Sequence, residues 1–95
     1  MNYKWIGSTP EKDHYLIWGI IELDRAGFDP VANDNVNTYR MFSGRSDKKL
    51  TAKNFIDTEG SIIELIKRKQ LKGYTLISEQ KFLELIPNVE STLTV

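Results

Sequence analysis

Period-two alternation dominates the first half of the chain. Over residues 14–23, Tyr15, Ile17, Gly19, Ile21 and Leu23 fall on one side of an extended backbone, and Leu16, Trp18 and Ile20 fall on the other, because successive strand side chains point to opposite faces. Both sides are apolar, which predicts a central strand covered on at least part of both faces. Residues 2–6 form a shorter, aromatic-rich run, and Gly7-Ser8-Thr9-Pro10-Glu11-Lys12-Asp13 after it reads as turn chemistry. The two runs therefore predict an antiparallel hairpin with a medium loop. A third strand is predicted over residues 37–43, with Tyr39, Met41 and Ser43 on one face and Arg40 and Phe42 on the other. After a turn over residues 44–48 comes a fourth, over residues 49–55, where Leu50, Ala52 and Asn54 alternate with Thr51, Lys53 and Phe55. Between the two hairpins, residues 24–36 are polar and punctuated by Asp29-Pro30 and Asn33-Asp34-Asn35; they are expected to form a long connection, the kind of segment that often carries function.

The period then changes from two to that of a helix. Ile62, Leu65, Ile66 and Lys69 follow helical spacing, with Ile63 widening the stripe. Ser61 and Glu64 fit a capping box, in which each side chain satisfies an orphan backbone N–H at the helix start. Gly73 is placed to stop the helix after Lys72. Lys67, Arg68, Lys69 and Lys72 crowd its carboxyl end, where positive charge is favoured by the helix dipole. Residues 74–77 predict a fifth short strand, and Ser78 can cap a second helix over residues 79–86, with Phe82, Leu83 and Ile86 as its apolar side and Pro87 as its stop. The expected fold is α+β: an antiparallel sheet of four to five strands in the order ββββαβα with one main helix packed on it, residues 1–87 forming a single domain and residues 88–95 a tail.

Composition narrows the function classes. The 95 residues are 40% hydrophobic and 27% charged, within the range of one globular domain. With no cysteine, disulfides and thiolate metal sites are excluded, and a reducing, cytoplasmic setting is expected. Residues 1–10 lack the basic start and apolar run of a signal peptide, and the longest apolar run, residues 15–21, is too short to span a bilayer. His14 is the only histidine, and no nucleophile turn is present to serve it in a Ser–His–acid arrangement. The carboxylates are scattered without calcium-loop spacing, and neither a phosphate loop nor a dinucleotide fingerprint occurs. No enzyme, metal or cofactor is expected. The formal net charge is zero, but it is unevenly spread: residues 1–39 carry three bases against six acids, net −3, and residues 40–72 carry nine against four, net +5.

The segment Tyr39-Arg40-Met41-Phe42-Ser43-Gly44-Arg45, followed by Lys48-Lys49-Leu50 and by a helix ending Lys69-Gln70-Leu71-Lys72-Gly73-Tyr74, resembles the WGR domain, found in poly(ADP-ribose) polymerases and in small bacterial and phage proteins. The resemblance covers residues 2–77. It implies paired antiparallel strands, a Trp-Gly-Arg motif at a strand end and a helix packed close by. Ser43 stands at the position of the motif's tryptophan, and Gly44 and Arg45 carry over. In the polymerases that tryptophan stacks near a DNA end, a platform worth about 1–3 kcal/mol per base. With the basic clusters of the second hairpin and the helix end, the expectation is a non-catalytic module that binds nucleic acid through Arg40, Gly44, Arg45, Lys48, Lys49, Lys53, Lys67, Arg68 and Lys72, with Tyr39 or Phe42 available as a ring. The alternative is a protein-interaction or inhibitor module, with Trp5 and Trp18 as anchors where they are exposed; the opposed charges of the two regions also permit head-to-tail self-association.

Overall fold

The computed structural model describes residues 2–29 and 34–86. In chain order the elements are β1 (Tyr3–Pro10), β2 (Tyr15–Asp29), β3 (Asp34–Arg45), β4 (Thr51–Thr58), α1 (Glu59–Leu71), β5 (Thr75–Leu76) and α2 (Glu79–Leu85). The strands form one antiparallel sheet in the order β4-β3-β2-β1-β5. The α+β class and the ββββαβα order are as the periodicity implies.

Each face of the sheet has its own helix and its own core. Trp5, Trp18, Ile20 and Tyr39 pack with Ile62 of α1 on one side. On the other, Ile6, Ile17, Ile21, Phe42 and Leu50 pack with Phe82 of α2 and with Ile86. The alternation in β2 is the cause: Trp18 and Ile20 serve the first core while Ile17 and Ile21 serve the second. Fully burying one such side chain stabilises the fold by about 1.5–3 kcal/mol, so both faces must be covered. Ring contacts consolidate each core: Trp5 and Trp18 lie 5.9 Å apart by centroid, and Phe42 and Phe82 5.1 Å apart.

A register shift in β1 places Tyr3 and Trp5 on opposite sides of the sheet. Tyr3 pairs with Ile21 and Trp5 with the adjacent Ile20, so Lys4 is an extra residue, a β-bulge. Tyr3 and Trp5, two apart in sequence, therefore reach opposite cores.

Several boundaries differ from the sequence expectation. β1 runs on to Pro10, because Gly7 pairs with both Trp18 and Leu76 and leaves room for the Trp5 indole. Residues 24–36 are not a simple connection: β2 and β3 continue as a paired ribbon to Asp29 and Asp34, with further register shifts at 22–24 and 25–27; residues 30–33 of that segment, like the tail expected over 88–95, lie outside the described residues. α1 starts earlier than expected. Its N-cap is Thr58, whose Oγ1 accepts from the Ser61 N–H at 3.2 Å, so Ser61 is a first-turn residue, and Glu64 reaches Lys67 at 3.6 Å instead of closing a capping box. Gly73 stops α1 as expected, with φ +101°. Ser78 caps α2, whose inner side is Phe82 with Ile86 after it, whereas Leu83 stays 43% exposed.

Candidate functional site

The registers define rows that run across the sheet. Gly7, Trp18, Ser43 and Thr51 are neighbours in one row; nearer the β3–β4 turn, Thr9, Leu16 and Arg45 are neighbours in another. α1 ends over these rows. The ammonium of Lys69 lies 5.4 Å from the Trp18 ring centroid and 5.7 Å from that of Tyr74, and a Cβ at Gly73 would stand 3.7 Å from Thr9 Oγ1. The carboxyl end of α1 and the β3–β4 turn thus share one end of the sheet, with Arg45 about 10 Å, two strand spacings, from Thr9. That end carries Arg45, Lys48 and Lys49 on the hairpin, and Arg68, Lys69 and Lys72 on the helix.

The hairpin side is held by backbone ties. The Ser46 N–H donates to the Tyr15 carbonyl and the Tyr15 N–H to Ser46 Oγ, both at 2.8 Å. Gly44 adopts φ +148°. Arg45 is bound bidentately to Asp47, Nε to Oδ1 at 2.9 Å and Nη2 to Oδ2 at 2.7 Å. Hydrogen bonding by this guanidinium holds the Asp47 carboxyl below its ordinary range, so Arg45 meets an anionic ligand already partnered. Lys48 and Lys49 are exposed.

On the helix side, Arg68 and Lys72 are four residues apart and share a flank, while Lys67 lies about 100° round the helix from Arg68 and is paired with Glu64. Lys69 is the exception among these cations. Burial, then the nearby charge of Lys72, lowers its pKa. Its ammonium lies over Trp18, which is 2% exposed. Neighbouring Tyr74 has its pKa raised by burial and then by the charge of Glu11, which marks an acidic residue on the rim of the cationic end.

Not every expected residue joins the group. Arg40 lies on the α2 side of the sheet, where its Nε donates to Asn54 Oδ1 at 2.7 Å, because it pairs with Ile21 across β2 and β3 and so follows the alternation of that core. Lys53 faces the α1 side on the outermost strand. Tyr39 and Phe42 are wholly buried and offer no ring to a ligand. Trp5 and Trp18, 8% and 2% exposed, are core residues and not partner anchors. Beside the cationic end, Met41, Ser43, Thr51, Ala52 and Lys53 line a shallow cavity of about 190 Å³, floored where Ser43 and Thr51 are small. The residue that sequence reasoning left out of the site is Lys69. The available signal was its place on the apolar stripe of α1, which turns its stem inward onto an aromatic ring.

Among the described residues no group of three or more His, Cys, Asp or Glu side chains is arranged to hold a metal, and no helix is long and apolar enough to cross a membrane. No family model matches the chain, and neither curated proteins nor solved structures provide a match.

Proposed function

We propose that this domain is a non-catalytic binding module that engages a polyanion, with nucleic acid as the fitting class, through the end of the sheet shared by the β3–β4 turn and the carboxyl end of α1. One observation carries the reading: Lys69 sits over Trp18, whose row across the sheet contains Ser43, so the helix-end cations and the hairpin-turn cations lie toward the same end of the sheet. Lys48, Lys49, Arg68 and Lys72 are the contact residues in this reading, and Arg45 joins once a phosphate competes with Asp47 for its fork. The position of Ser43-Gly44-Arg45 at the strand end is consistent with a WGR-like module that contacts phosphates without the stacking ring. The burial of Trp5 and Trp18 ranks a protein-docking role for them below this reading.

Phosphate neutralisation releases counterions, so log K falls with log salt by about 0.9 per duplex phosphate contacted and about 0.7 per single-strand phosphate. Fluorescence anisotropy with single- and double-stranded oligonucleotides at rising salt tests the reading. Binding is expected at low salt, with a slope that Lys48→Glu/Lys49→Glu reduces by about 1.4–1.8 and that Lys67→Glu changes less. Absence of binding by the wild-type domain at low salt rejects it.

A further inference from the structure

The outer edge of β4 has features that suit one particular partner. β4 is the terminal strand of the sheet among the described residues, and it pairs with β3 without a register shift from Thr51 to Thr58. Thr51-Ala52-Lys53-Asn54-Phe55-Ile56-Asp57-Thr58 holds neither proline nor glycine. It thus lacks the bulges and prolines that usually blunt an edge, and a row of backbone donors and acceptors faces outward. Asn54 accepts from Arg40, Thr51 donates to the Ser43 carbonyl and Asp57 Oδ1 accepts from the Thr58 N–H, which leaves the second Asp57 oxygen open; two other side chains are unspent. Ile56 is 62% exposed, and Lys53 makes no ion pair or side-chain hydrogen bond among the described residues. On the α1 side of the strand the order is Thr51, Lys53, Phe55, Asp57, so a cation and an anion stand two residues to either side of a half-buried ring.

That arrangement is self-complementary. We propose that β4 pairs antiparallel with β4 of a second copy of this chain, about a two-fold axis at Phe55, to form a continuous ten-stranded sheet across two protomers. A two-fold axis perpendicular to the sheet keeps each face on its own side, so the residue on the axis fixes the whole register. With Phe55 opposite the same residue of the second copy, Lys53 of each copy falls opposite Asp57 of the other, Asn54 opposite Ile56 and Ala52 opposite Thr58. With Asn54 on the axis, Lys53 would instead face Phe55 and Asp57 would face Thr51; with Ile56 on the axis, Asp57 would face Phe55 and Lys53 would meet the first residue of α1. The Phe55 register alone sets both Lys53–Asp57 pairs directly opposite, where unlike charges attract and like charges repel. It also brings the two Ile56 side chains to diagonal positions on the α2 side, where each gains cover. This association is isologous and independent of the polyanion reading, since Lys53 is outside the contact set given for it.

Sedimentation velocity over a concentration series, on the whole chain, tests the proposal. The wild type is expected to dimerise, whereas Lys53→Asp and Asp57→Lys, each folded by circular dichroism, are expected to be monomers because each sets like charges opposite one another. The two single variants mixed are expected to form a heterodimer, since the acidic edge of one then meets the basic edge of the other. The double swap Lys53→Asp/Asp57→Lys is expected to regain the homodimer. A wild type that stays monomeric at every concentration overturns the proposal, including one that instead takes up a foreign strand peptide on this edge. Single variants that dimerise as the wild type does, or that fail to associate when mixed, overturn it as well.

Discussion

Gly19 and Phe42 face each other across β2 and β3, and the ring of Phe42 fills the place a side chain on Gly19 would take: a Cβ there would overlap Phe42 Cζ. The contact fixes how close the rings of the α2-side core come to the sheet. Gly19→Ala is expected to cost about 1–3 kcal/mol or more by overpacking, measured as a lower urea midpoint with unchanged slope. A wild-type midpoint would show that Phe42 has room to move.

The two-sided burial of β2 was legible in the sequence, though its pairing with Phe42 was not, and the reason is the strength of the alternation in β2. Ile17, Trp18, Ile20 and Ile21 declare two faces without any tertiary information, and with them a central strand. The ends of the elements were less legible. Gly7-Ser8-Thr9 has the composition of a turn, yet it is strand because Gly7 makes room for the Trp5 indole, a long-range packing fact. Thr58 and Ser61 are both competent caps, and the choice between them is made by how far β4 runs. In the site, the charge excess of residues 40–72 was visible, but the Arg45–Asp47 fork and the seat of Lys69 depend on geometry that spacing does not contain.

The capping assignment separates two neighbouring hydroxyls. Thr58→Ala removes the acceptor for the Ser61 N–H and is expected to cost about 1 kcal/mol. Ser61→Ala loses only the bond that Thr58 Oγ1 donates to its hydroxyl at 3.1 Å and is expected to cost less than half as much. Equal losses in paired denaturation curves would count against Thr58 as the cap.

The stem of Lys69 is expected to matter more for stability than its charge. Lys69→Met keeps the hydrocarbon cover over Trp18 and removes a cation whose burial disfavours it, so stability is expected to stay within about 0.5 kcal/mol of the wild type. Lys69→Ala uncovers the indole and is expected to cost about 1–2 kcal/mol, with a red shift of tryptophan emission. A large loss in Lys69→Met would assign the seat to cation–π attraction instead.

Under the polyanion proposal, Asp47 competes with a phosphate for the Arg45 fork. Asp47→Asn removes the charge of the bidentate pair, and oligonucleotide affinity at low salt is expected to rise, with the salt slope steepening by about 0.7–0.9 for one added phosphate contact. An unchanged slope in anisotropy titrations would place Arg45 outside the contact surface.

The ion pairs at the opposite end of the sheet set an acid limit. Lys4 Nζ lies 2.7 Å from Glu59 Oε1 and 3.3 Å from Glu22 Oε2, and its hydrogen bond holds the Glu59 carboxyl below the ordinary 4.5. The unfolded chain therefore binds the proton more readily, so this contribution is complete above pH 4.5 and is lost as pH falls through the lower folded-state value. Glu59→Gln is expected to flatten the acid limb of a urea-midpoint profile while leaving its slope near neutral pH unchanged. An unaltered acid limb would assign the loss to other carboxylates.

The additional residue in β1 has a meaning beyond geometry. Were Lys4 excised, Tyr3 and Trp5 would become consecutive and each would still point to the layer it serves now, so neither layer needs the insertion. Its gain is the ammonium, which the kink lifts out of the ladder and sets against the first turn of α1. In effect the strand carries a removable tether, one that leaves the frame of the residues around it intact and fastens the start of the helix to β1.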